Sequence, residues 1–81
     1  MILVEMYSKE DCHLCDVAVA VLLKIQQEYP FELRQIKIHD GDEYFENFKE
    51  RVPVVFINKE FACQYRIREK EFIAKLNHAG H

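Results

Sequence analysis

The sequence predicts a single α/β domain over residues 1–81, with the order β-α-β-α-β-β-α, a four-stranded mixed sheet and three helices. Three observations carry this. Short β-rich apolar runs open and punctuate the chain, while a long segment of helical spacing separates the first two. A proline closes that helix, and a two-residue polar break separates the last two strands. Strands joined through a helix pair parallel, and strands joined by a tight turn pair antiparallel, so the sheet is mixed.

Ile2-Leu3-Val4-Glu5-Met6-Tyr7 reads as the first strand and Ser8-Lys9-Glu10-Asp11 as a polar loop. A helix follows from His13 to about Glu28. Leu14, Val17, Ala18, Val21, Leu22 and Ile25 recur at steps of three, one, three, one and three, which predicts one buried face. Val19 and Leu23 add apolar surface beside it, so the helix is expected to be mostly covered. Tyr29-Pro30 ends it, because proline disfavours helical geometry in the residue before it. Phe31, Leu33, Ile36 and Ile38 support a second strand whose polarity suits a sheet edge. His39-Asp40-Gly41-Asp42 is a turn with capping chemistry, and Glu43 to Glu50 a short helix carrying Phe45 and Phe48. Val52 to Ile57 reads as a buried strand, Asn58-Lys59 as a hairpin turn and Glu60 to Tyr65 as the returning strand. Glu69 to His78 closes the fold with Phe72, Ile73 and Leu76 inward, and Ala79 to His81 is expected to fray.

Composition narrows the function. The chain is 49% apolar with a net charge of −3, which gives no footing for nucleic acid. The first fifty residues hold eleven acids against five bases, and the remainder three against six. That basic C-terminal third suits an anionic substrate or an acidic partner, and equally a solvated surface. Met1 runs straight into a strand without a charged leader, and the longest apolar run, Val17 to Leu23, is far short of the ~20 residues of a membrane helix. Three cysteines form no closed disulfide framework. A cytoplasmic monomer without a membrane partner is the expectation.

Cys12-His13-Leu14-Cys15 carries the chemistry. Cys12 falls at a helix N-terminus, where unpaired N–H groups and the helix dipole favour a thiolate, the form that attacks disulfides. The two-residue spacer brings both cysteines within the Cα separation a disulfide requires. A C-x-x-C beside a β-α-β pattern reads as a thioredoxin-like redox motif. In that reading Cys12 is the nucleophile and Cys15 the resolving thiol. Lys9 and His13 place positive charge nearby and lower the thiol pKa, while Glu10, Asp11 and Asp16 act in the opposite direction.

The stretch Tyr7-Ser8-Lys9-Glu10-Asp11-Cys12-His13-Leu14-Cys15 resembles the opening of glutaredoxins, with a lysine shortly before the first active-site cysteine. Arg51-Val52-Pro53-Val54-Val55 resembles the segment of that family whose proline is cis and faces the cysteines. The resemblance spans essentially the whole chain, and Cys-His-Leu-Cys followed by Asp16 is closest to small glutaredoxin-like proteins. It implies a glutaredoxin-type thioredoxin-like fold and a dithiol oxidoreductase that reduces protein disulfides or glutathione mixed disulfides. It implies further that no cofactor is resident and that glutathione or a reductase supplies electrons. It also implies a substrate contact made by Arg51, Val52 and Pro53: the backbone of Val52 is left free to pair with a bound peptide or thiol ligand. Arg51 is a candidate for a carboxylate. One departure stands out. Where glutaredoxins carry Gly-Gly and an acid that hold glutathione, this chain has Phe61-Ala62-Cys63-Gln64-Tyr65-Arg66-Ile67-Arg68, with Arg68 roughly at the acid's place.

Two other functions stay open on sequence grounds. Cys12 and Cys15, with His13 or Cys63, form part of a zinc site that lacks a second paired motif. A non-catalytic binding protein with incidental thiols is the other. Cys63 is expected to be an inert strand cysteine, His39 and His78 to be exposed, and Tyr7 and Phe45 to lie in or near the core.

Overall fold

The computed structural model describes residues 1–43 and 45–80. Tyr44, within the predicted second helix, and His81, at the end predicted to fray, lie outside the described residues. The elements are β1 (Leu3–Ser8), α1 (His13–Gln26), β2 (Glu32–Lys37), α2 (Phe45–Phe48), β3 (Val54–Ile57), β4 (Glu60–Gln64) and α3 (Glu69–Ala79). The sheet order is β2-β1-β3-β4. β1 pairs parallel with β2 and antiparallel with β3, and β3 pairs antiparallel with β4. The predicted class, order and edge position of β2 all hold.

Local chemistry sets the ends of these elements. Asn58 and Lys59 both lie in the left-handed region, at φ 49° and 72°, as a two-residue hairpin matched to strand twist requires. Asn58 also ties the hairpin to β1: its N–H donates to the Leu3 carbonyl at 2.7 Å, and its Oδ1 accepts from the Leu3 N–H at 2.9 Å. The turn before α2 closes through the His39 N–H on the Asp42 carboxylate at 2.7 Å and the Asp42 N–H on the His39 carbonyl at 2.9 Å. The edge of β4 is blunted by Lys75, whose ammonium donates to the Ala62 carbonyl.

Strand alternation gives the sheet two unlike faces. Val4, Met6, Val55 and Ile57 pack in one core with Ala18, Leu22 and Ile25 of α1 and Phe72 and Leu76 of α3. On the opposite face Tyr7 and Phe56 meet Phe48 of α2, with ring centroids 5.1 and 6.2 Å away. Ile73 and Phe45 pack against the core without being fully buried.

Two expectations need correction. Ala18, Leu22 and Ile25 of the predicted stripe of α1 are buried, joined by Cys15, whereas Leu14 and Val17 are 44% and 47% exposed, and Leu23 is exposed as well. Apolar residues nearly encircle this helix, so periodicity alone does not choose which line faces the sheet. The third strand starts at Val54, two residues later than predicted. Pro53 has no N–H to give the ladder, and Val52 lies ahead of it.

Candidate functional site

The site is built where β1 ends and α1 begins. Asp11, at φ 55°, turns the chain sharply just before Cys12. Cys12 is the N-cap residue of α1, in extended conformation. Its Sγ accepts a hydrogen bond from the Cys15 N–H at 3.2 Å, so a donor of the first helical turn points at this sulfur. Cys12 and Cys15 form a disulfide with their Cα atoms 5.2 Å apart. Their surroundings differ. Cys12 is half-buried, whereas Cys15 is 4% exposed and belongs to the core.

The register brings the proline segment to the same end of the sheet. Tyr7, one residue from the end of β1, pairs with Val54, the first residue of β3. The Val52–Pro53 bond is cis, and both residues are buried. The backbone of Val52 makes no hydrogen bond among the described residues, while the Pro53 carbonyl accepts from the Tyr65 N–H at 2.9 Å. The segment after β4 is thereby tied to the proline strand. Tyr65 itself sits at φ 67°.

The remaining predicted site residues make contacts of their own. The Lys9 ammonium donates to the Lys49 carbonyl at 2.8 Å, linking the loop before Cys12 to the residue following α2. His13 is exposed and opens α1. Arg51 turns toward the aromatic face: its Nε donates to Gln64 Oε1 at 2.7 Å, and its guanidinium lies 5.6 Å from the Phe48 ring and 5.9 Å from the Phe61 ring. Cys63 lies on β4, and burial pushes its thiol up to about 11, against a nearby Lys75 that acts in the opposite direction. Among the described residues, no three His, Cys, Asp or Glu side chains gather as a metal would require. No helix there is long and apolar enough to cross a membrane.

Sequence reasoning missed one feature beside the cysteines. Leu14, Val17 and Val21 of α1 face Tyr65, Arg66 and Ile67 across a groove of about 300 Å³. A surplus of apolar residues on α1, more than one buried face can use, was the signal for it.

Residues 3–77 match the family described as Glutaredoxin-like domain (DUF836). Among solved structures, the protein Ne2328 of Nitrosomonas europaea is 29% identical, with a TM-score of 0.79 over 91% of this chain and 89% of that one. The protein XcR50 of X. campestris is 24% identical, with a TM-score of 0.77 over 93% and 96%. Thioredoxin O2 of Arabidopsis thaliana, in its oxidized state, shares the fold at 14% identity and a TM-score of 0.65, over 96% and 74%. No curated protein matches the chain.

Proposed function

The chain belongs to the glutaredoxin-like domain family (DUF836), and from that premise we propose that it is a dithiol–disulfide oxidoreductase acting through Cys12 and Cys15. The observation that carries this is the pairing of an accessible N-cap sulfur, aimed at by the Cys15 N–H, with a buried sulfur one turn further on.

The chemistry follows from those positions. As a thiolate, Cys12 attacks one sulfur of a substrate disulfide. The substrate S–S bond breaks, a Cys12–substrate disulfide forms, and the first substrate thiol leaves and takes a proton. Cys15 then attacks the Cys12 sulfur, expelling the second substrate thiol and closing the Cys12–Cys15 disulfide. The substrate has gained two electrons and two protons, and the chain has lost them. An external thiol reductant, glutathione or a reductase, returns them. Burial of Cys15 keeps the resolving sulfur from reacting with solvent oxidants or with substrate directly.

The N–H groups at the start of α1 and the helix dipole favour the Cys12 thiolate. Lys9 and His13 add positive charge at the same end when protonated. The free backbone of Val52 offers a strand-like pairing edge to the backbone flanking the substrate disulfide. We assign the protein to a reducing compartment, the cytoplasm, and to protein disulfides before glutathione mixed disulfides, because the stretch from Phe61 to Arg68 has no glycine pair to admit glutathione.

A turnover assay with a disulfide protein and an excess of thiol reductant tests this. The expectation is catalysis that is lost, about a thousandfold or more, in Cys12→Ser, in line with removal of a covalent nucleophile. Full activity in Cys12→Ser overturns the assignment.

A further inference from the structure

We propose that the groove between α1 and the segment after β4 is the specificity site of this protein, and that it takes an extended protein segment with an apolar side chain and an acidic side chain beside the reacting cysteine. The proposal rests on the redox reading of Cys12 and adds the class of substrate.

Leu14, Val17 and Val21 stand at i, i+3 and i+7 on one flank of α1, neighbours along the helix surface. The facing wall is Tyr65 to Ile67. Three large apolar side chains around the groove, Leu14, Val17 and Tyr65, are 44%, 47% and 45% exposed. Scattered apolar exposure is ordinary, but these side chains line one cavity. The groove begins at the redox motif, since His13 and Leu14, the two residues between the cysteines, both line it. A substrate cysteine at Cys12 therefore places its neighbouring residues on this flank.

Tyr65 is held, not incidental. Its φ of 67° is a conformation that L side chains seldom adopt, and the N–H to the Pro53 carbonyl fixes it there. The Arg66 N–H donates to the Gln64 carbonyl at 2.7 Å and fixes the next residue. An aromatic side chain thus lines the groove from a backbone position that glycine fills most readily.

Charge gives the second half of the specificity. Arg66 lines the groove, is exposed, and has no ion-pair partner among the described residues. Among the described residues, no carboxylate side chain lines the groove. Asp16 lies about 200° round the helix from Leu14, on the other side. Farther along, Lys24 pairs with Glu69 at 3.2 Å and joins α1 to the start of α3. The open charge at the groove is positive, and its complement is an aspartate or glutamate.

The test uses the Cys15→Ser chain and three short cysteine peptides, each activated as a mixed disulfide with a chromogenic aromatic thiol. The first has leucine and glutamate beside the cysteine, the second leucine and lysine, the third serine and glutamate. Cys12 attacks the peptide sulfur, the peptide–aryl S–S bond breaks, and the released aryl thiolate gives the rate. The symmetric aromatic disulfide serves as the reference for each protein. The first peptide is expected to react about fivefold faster than the second, as one exposed ion pair supports. It is expected to react about tenfold faster than the third, as partial burial of one apolar side chain supports. Arg66→Glu is expected to invert the first ratio, and Val17→Ser to shrink the second. The reduced wild-type chain should give the same ranking, which guards against a fold defect in Cys15→Ser. Equal rates for all three peptides in a chain that still consumes them overturn the groove proposal and leave the redox reading standing. No aryl thiolate from any peptide or from the aromatic disulfide overturns both.

Discussion

Asp11 shows how much one backbone angle matters to a catalytic sulfur. Its φ of 55° turns the chain into the N-cap, and short polar residues tolerate this region better than branched ones. Asp11→Gly should keep both stability and reactivity. Asp11→Val should cost about 1–2 kcal/mol, read by denaturant unfolding, and slow the reaction of Cys12. Glu5 poses a different problem. Its carboxylate is buried on β1 and is met by the Lys59 ammonium at 3.1 and 3.2 Å. Lys59→Met should therefore destabilise the fold by about 1–3 kcal/mol, and Glu5→Gln in that background should recover part of it, read by thermal melts. Cys63 gives a pH signature. Its folded pKa of about 11 lies above the ordinary 9.0, so the fold favours the neutral thiol. That stability is fully present below the ordinary value and is lost as pH rises from about 9.0 through 11. Denaturant midpoints measured across this range should fall further for wild type than for Cys63→Ala. Parallel curves contradict it. Little of this residue-scale detail was legible beforehand. Neither the capture of Lys9 by the Lys49 carbonyl nor the seat of Arg51 between two rings has a sequence signal, since both depend on contacts across the fold.

At the scale of elements the outcome is mixed in an instructive way. The hairpin at Asn58-Lys59, the edge strand β2 and the helix opening at His13 were all readable, because turn residues, polarity and capping act locally. The face of α1 was readable only in part. Ala18, Leu22 and Ile25 are buried as predicted, but the buried line begins at Cys15, which a reading of bulky apolar positions passes over, while Leu14 and Val17 look like core and line a groove instead. The proline segment behaves as a joint between elements. Arg51 bridges to Gln64 of β4 and lies against Phe48 and Phe61, so it anchors the start of β3 to β4 and α2. Arg51→Met should lower stability by about 1–2 kcal/mol through the lost hydrogen bond and cation–π contact, measured by denaturant unfolding. An unchanged midpoint contradicts this anchoring role.

For the whole molecule, the order β2-β1-β3-β4 puts β1 and β3 in the centre and delivers their functional ends together. The cysteines follow β1, the proline segment precedes β3, and the segment after β4 is bonded back to Pro53. Three parts distant in sequence thus meet at one end of the sheet. Sequence order predicted the strand directions, and the resemblance to glutaredoxins implied that the proline segment faces the cysteines; the shape of the surface around the sulfurs required coordinates. The most direct test of the dithiol mechanism is stoichiometric. The reduced chain is mixed with excess disulfide substrate in the absence of any reductant, and the products are counted by mass spectrometry and thiol titration. The account predicts two substrate thiols released per chain and an intramolecular Cys12–Cys15 disulfide. It also predicts one thiol and a Cys12 adduct in Cys15→Ser. An adduct on Cys63 with Cys12 and Cys15 left reduced, or no thiol release at all, contradicts it.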